Sequence, residues 1–286
     1  MIVVFSGHQP ALHDSIPVFG SEDDTLVLDA TKLTWASPMD LTGLAAWASA
    51  GSPLRTSLLL PENPSLSNYL HRMDVPRSMS EQGVAVHGPR APEVREEHSD
   101  QLIEVRRMDG QSDVSLFASD VYRLVNTNVG DKAARVVHSL LGELLDNVTR
   151  HARSESGSFG AAQVYTGATT GRAGIEISVS DPGRGILAAL RSNPAFAGIP
   201  DCRGAIDASL QEGVTGDAEM TDVPGHGNGL PRVVTQLRTH HGRMVLRSGD
   251  AVVRITARRR LRTVSVSVPG TWAWIRLDTQ DGRLAS

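Results

Sequence analysis

A single cysteine, Cys202, stands in the 286 residues, so no internal disulfide can brace the chain, and one thiol suits a reducing compartment. Charge of one sign is lacking too. The 28 Lys and Arg against 32 Asp and Glu leave a net −4, which is not the basic surface that nucleic acid demands. No run reaches the roughly 20 apolar residues that span a bilayer. The opening MIVVFSGHQP has neither a basic start nor a long apolar core, so a signal peptide is not expected. Together these absences point to a soluble, cytoplasmic chain with neither membrane nor nucleic acid as partner. What is present suffices for packing: 40% hydrophobic residues can fill one large or two medium cores.

Residues 26–29, LVLD, read as a short buried strand, and Leu41–Ala50 as a helix stopped by Gly51-Ser52-Pro53. Thr56–Pro64 reads as a second strand ending in a turn, and Leu66–Met73 as a helix halted before Pro76. This alternation predicts a small α/β module over about residues 1–87. Pro89 and Pro92 mark a boundary, dividing the chain into 1–92 and 93–286.

Beyond it, Leu102–Met108 reads as a strand and Ser112–Asn128 as a helix. The clearest helix is Lys132–Arg153, where Val137, Leu140, Leu141, Leu144, Leu145 and Val148 repeat at helical spacing. Strands are expected at Ala161–Tyr165, Gly174–Ser180, Met244–Ser248, Ala251–Ala257, Thr263–Val268 and Thr271–Leu277, with helices at Ala205–Glu212 and Leu230–Leu237.

Three stretches carry chemistry. On the long helix, Glu143 and Asn147 lie one turn apart on the flank of the apolar stripe, with Asp146 on the solvent side. A carboxylate and an amide at the rim of a core can reach a ligand, although a plain polar flank has the same look. In GIEISVSDPGRGI, Asp181 ends a strand beside Gly183 and Gly185. An acceptor there suits the amino group of a flat ring, and an ordinary strand exit favours the same residues. In GHGNGL, Gly225, Gly227 and Gly229 lead into a helix whose exposed N–H groups suit a phosphate. The loop fits neither common glycine-rich nucleotide fold. Leu230 replaces the last glycine of the dinucleotide fingerprint, and no GK[ST] occurs.

The order ELLDN, DPGRG, GHGNGL resembles the N, G1 and G2 boxes of the GHKL (Bergerat-type) ATPase superfamily over about residues 112–280. Gly270-Thr271 in VPGTWAWIRL is similar to the "GT" opening its closing strand. The resemblance implies an α/β sandwich, helices over a mixed sheet, that takes ATP and Mg²⁺. It casts Asn147 as the Mg²⁺ ligand, Asp181 as acceptor for the adenine amino group, and Gly183 and Gly185 as shaping that end of the pocket. Gly225, Gly227 and Gly229 would form a phosphate lid, Glu143 would be the general base, and Thr271 would sit beside the adenine.

More faintly, LVLDATKLTWASPMDLTGLAAW resembles a STAS-type module, the fold of anti-sigma-factor antagonists. The phosphoacceptor serine positions of that loop are here Pro38 and Met39, with Ser37 where the family has aspartate. The expectation is therefore a STAS-like docking module fused to a GHKL domain. It would be an ATP-driven switch acting on a protein partner, with a second copy of the chain among the candidates. The alternatives are a serine/threonine kinase of the anti-sigma-factor type and a non-catalytic ATP sensor. RITARRRLR (Arg254–Arg262) reads as a solvated turn or a patch for an acidic partner, and the four tryptophans as core or interface anchors.

Overall fold

The computed structural model describes residues 2–9, 11, 18–19, 25–50, 55–92, 100–151, 154, 156–167, 173–220, 227–280 and 283–285. The first part holds β1 (Ile2–Val4), β2 (Gly7–His8), β3 (Val18–Phe19), β4 (Thr25–Asp29), β5 (Leu33–Trp35) and α1 (Pro38–Ala50). Then come β6 (Arg55–Leu59), α2 (Pro64–Arg72), α3 (Val75–Ser80) and β7 (Ala85–His87). The second part runs β8 (Leu102–Met108), α4 (Gln111–Asn128), α5 (Asp131–His151), β9 (Ser158–Thr166) and β10 (Ala173–Asp181). It continues with α6 (Gly185–Arg191), α7 (Cys202–Ser209), α8 (Gly229–Thr239), β11 (Arg243–Ile255), β12 (Arg259–Gln280) and β13 (Arg283–Leu284). The protein is mixed α/β, and among the described residues no helix is long and apolar enough to cross a membrane.

The first sheet has the order β3-β1-β4-β6-β7, parallel except for β3. The second, β11-β12-β10-β9-β8 with β13 on β12, is antiparallel throughout. Helix α5 lays its apolar stripe on one face of this second sheet, beside α4 and α8. Ile175, Ile177 and Val179 of β10 point into that core. The alternate residues Glu176, Ser178 and Ser180 point to the opposite face, as the two-residue period of a strand requires. That face is not left to water: α1 packs across β9, β10 and β12, and all three polar side chains are buried.

Helix α1 is apolar nearly all round, with residues 38–48 buried, as a helix wedged between layers must be. It starts earlier than Leu41 because Ser37 and Asp40 cap it reciprocally. The Ser37 N–H donates to Asp40 Oδ2 at 2.6 Å, and the Asp40 N–H reaches back to Ser37 Oγ at 3.3 Å. Pro38 stands at the first helical position, where its missing N–H costs nothing. Residue 43 has to be glycine, because a Cβ there would lie 2.6 Å from the Trp272 indole. Trp47 meets the same indole edge-on at 5.7 Å. Trp47, Trp272 and Trp274 are thus core anchors between the two sheets.

Two sequence expectations need correction. The strands Met244–Ser248 and Ala251–Ala257 are one strand, β11, with irregular register around Gly249. Thr263–Val268 and Thr271–Leu277 are likewise continuous in β12. As expected, α2 ends before Pro76, which sits in the first turn of α3, where proline is tolerated.

Candidate nucleotide site

A cavity of about 370 Å³ opens between α5, α6, α8 and the ends of β10 and β12. Glu143, Asn147, Asp181, Gly185, Gly229 and Thr271 border it, together with Gly227. Its volume is in the range of small-molecule sites.

Asp181 forms the floor. It ends β10 and is 2% exposed. Its Oδ1 accepts the Gly183 N–H at 2.8 Å. Burial pushes its carboxyl up to about 7, against hydrogen bonds from the Gly183 and Thr271 backbones that pull it down. Thr271 pairs with Asp181 across the β10–β12 ladder. The preceding Gly270 has φ +62°, and a Cβ there would stand 1.9 Å from the Asp181 carbonyl oxygen. Only glycine fits that approach.

Ser248 ties this end together. Its hydroxyl donates to the Gly270 carbonyl at 2.9 Å and accepts the Ile186 N–H, also at 2.9 Å. One buried hydroxyl thus fixes the start of α6 and the turn before Thr271. Sequence reading missed Ser248, and nothing local marks it, since its partners come from two distant segments.

The second wall is α5. Its amphipathic stripe is buried, which turns Glu143 and Asn147 toward the cavity rim. Asn147 Nδ2 is buried with no hydrogen-bond partner among the described residues. An amide nitrogen so placed is costly unless something in the cavity meets it. Glu143 Oε1 lies 3.5 Å from Arg232 Nη1, a long ion pair with the two side chains 28% and 56% exposed. At that exposure it contributes little to stability. Arg232 was not anticipated, although it stands in the first turn of α8, just beyond GHGNGL, where the spacing could have pointed to it. Asp146, expected on the solvent side, pairs with the exposed Arg150, and it also borders the cavity.

The α8 N-terminus closes this wall. A Cβ on Gly229 would be 2.9 Å from Glu143 Oε2 and 3.9 Å from Asn147 Nδ2. The N–H groups of the first turn therefore share one corner with a carboxylate and an amide. The Asn228 side chain at the N-cap makes no capping bond to this helix start, whose first-turn N–H groups suit an acceptor. Asn228 instead accepts the Gly213 N–H at 3.1 Å, tying the glycine loop to the segment after α7.

Of the sequence-predicted residues, Glu143, Asn147, Asp181, Gly185, Gly227, Gly229 and Thr271 come together on this cavity. Gly183 borders the neighbouring hollow and acts here only through its N–H on Asp181. Gly225 lies outside the described residues. Among the described residues no three His, Cys, Asp or Glu cluster as metal ligands. The arrangement offers a buried acceptor on the floor, and an amide and helix N–H groups on the wall. It suits a ligand carrying both a hydrogen-bond donor and an anionic group.

No protein-family model matches the chain, and no curated protein or solved structure does either.

Proposed function

We propose that residues 93–286 bind Mg-ATP as a GHKL-type domain and use its binding and hydrolysis to switch a protein partner, with residues 1–92 as a STAS-like regulatory module. The observation that carries this reading is the convergence of three separated motifs on one cavity, with Asp181 buried at its floor and Asn147 on its wall. A buried carboxylate suits the exocyclic amino group of adenine, and the start of α8 suits phosphates.

Magnesium fits the residues present. It is held by one or two protein oxygens, with phosphates and water completing its shell. Asn147 would supply one amide oxygen, and its Nδ2, without a partner among the described residues, can donate to a phosphate oxygen beside the metal. The bound metal supplies charge neutralisation on the phosphates. Glu143, beside it, can accept the proton of an attacking water, and Arg232 can hold the Glu143 carboxylate in place.

Transfer to a protein hydroxyl is a second reading, favoured by the exposure of Glu143 and Arg232, which leaves that corner open to a partner. Ser37 and Thr42 of the N-terminal module are poor candidates: both are fully buried, and α1 covers the sheet face opposite the cavity. Incubation with γ-labelled ATP and Mg²⁺ decides between them. Hydrolysis leaves the label on free phosphate, transfer leaves it on protein, and label that stays on ATP contradicts both catalytic readings.

A further inference from the structure

Two consecutive residues of α1 sit on the two strand positions directly behind the cavity floor. Ser180 and Trp272 are a cross-strand pair, and the next pair along is Asp181 and Thr271. Strand alternation turns Asp181 and Thr271 toward the cavity, and Ser180 and Trp272 toward α1. Thr42 Oγ1 lies 2.8 Å from Ser180 Oγ and 2.8 Å from Ser178 Oγ. Gly43 presses on the Trp272 ring so closely that a Cβ there would clash at 2.6 Å.

The hydroxyl cluster is buried and connected. Ser178 donates to the Ala273 carbonyl at 2.9 Å. One proton per hydroxyl therefore suffices for a chain from Ser180 through Thr42 and Ser178 to β12. Thr42, Ser178 and Ser180 are each 0% exposed, so no water can replace a lost partner. Thr42 Oγ1 also lies 3.1 Å from the Pro38 carbonyl, and whichever way its proton points the cluster ties α1 to β10 and β12 beside Asp181. The close fit of Gly43 on Trp272 holds the partner strand beside Thr271 in the same way. The Asp181 carboxylate depends on this, since one of its donors is the Thr271 backbone.

We infer that Thr42, from the N-terminal module, is a positioning residue of the nucleotide site, so that seating of α1 on the sheet and nucleotide affinity form one linked equilibrium. The inference rests on the ATP-binding reading above. Linkage requires reciprocity: whatever loosens α1 weakens the ligand, and the ligand tightens α1. The module then acts on the cavity through the sheet from behind, with no residue of its own in the pocket.

The test is titration calorimetry of Mg-ATP against the full chain and three variants. Thr42→Val keeps the shape, removes the hydroxyl and takes away the Ser180 partner, so ATP affinity should fall about three- to tenfold. Thr42→Ser restores the hydroxyl and should return affinity to within about twofold of wild type. Leu70→Val, in α2 and 0% exposed, removes one methylene without touching the Thr42 hydroxyl cluster, and should lower the melting temperature and leave ATP affinity unchanged. If Thr42→Val does not fold, Ser180→Ala breaks the chain from the strand side, and the same comparison applies. Wild-type affinity in Thr42→Val or Ser180→Ala, with only a lowered melting temperature, overturns the inference while the ATP reading stands. A wild-type chain that binds no ATP overturns both.

Discussion

Gly270 lies against Asp181 so tightly that any Cβ at position 270 would overlap the Asp181 carbonyl oxygen. Gly270→Ala should therefore act twice. It forces a residue with a side chain into φ +62°, at a cost of about 1–3 kcal/mol, and it pushes on the floor of the cavity. We expect a lowered melting temperature together with loss of ATP binding. A stable Gly270→Ala protein that binds ATP normally would remove this turn from the site.

The ionisation of Asp181 gives the site a pH dependence. Burial raises its carboxyl to about 7, and an amino donor favours the ionised acceptor. Below that pH, binding must first remove a proton. ATP affinity should thus rise as pH increases through about 7 and level off above it, and Asp181→Asn should flatten the profile. Calorimetry between pH 6 and 8.5, roughly a unit on either side of the transition, gives the comparison.

Glu143 and Asn147 should separate chemistry from binding. If ATP is hydrolysed, Glu143→Ala should cut turnover by about 10²–10⁴-fold with binding nearly intact, because a general base acts on the reacting water. Asn147→Ala should instead weaken Mg²⁺-dependent binding. Unchanged turnover in Glu143→Ala points to a sensor that does not use this carboxylate.

Much of this site was legible because its residues carry local signatures. The stripe of α5 orients Glu143 and Asn147, and the DPG turn and the glycine loop mark the other walls. The cover over the far face was not legible. The alternation of β10 reads the same whether Ser178 and Ser180 face water or α1, and the partner Thr42 is more than a hundred positions away. Nor was the continuity of β12 legible, since Pro269-Gly270 reads as a break. The pairing of Ser248 with Thr271 and of Gly249 with Val268 carries the strand through it. The start of α1 was missed for a third reason, that Ser37 and Asp40 form a capping box in which Asp stands where Glu or Gln is usual.

The same cap sets a second pH effect, on stability. Burial lifts Asp40 to about 6, against its bonds from Ser37 and Ala11. The folded state then holds this proton more tightly than the unfolded state does. The stability it adds is fully present below about pH 4 and is lost as pH rises through about 6. The melting temperature of wild type relative to Asp40→Asn should fall across that window. A constant difference would mean that Asp40 titrates alike in both states.

Mass spectrometry after incubation with Mg-ATP checks the role of the N-terminal module. Ser37 and Thr42 are fully buried, and in-line transfer tolerates little misplacement. We expect no phosphate on either. Stoichiometric phosphate on Ser37 or Thr42 would make the module the domain's own substrate.

Calorimetry of the full chain with Mg-ATP and with Mg-GTP is the most direct measure of the central claim. Guanine presents a carbonyl oxygen where adenine presents an amino group, so Asp181 would face an acceptor. Losing that charge-assisted bond costs roughly 1.5–3 kcal/mol, and we expect ATP to bind about 10- to 150-fold more tightly than GTP. Equal affinities, or no binding of either nucleotide, would contradict the assignment of this cavity.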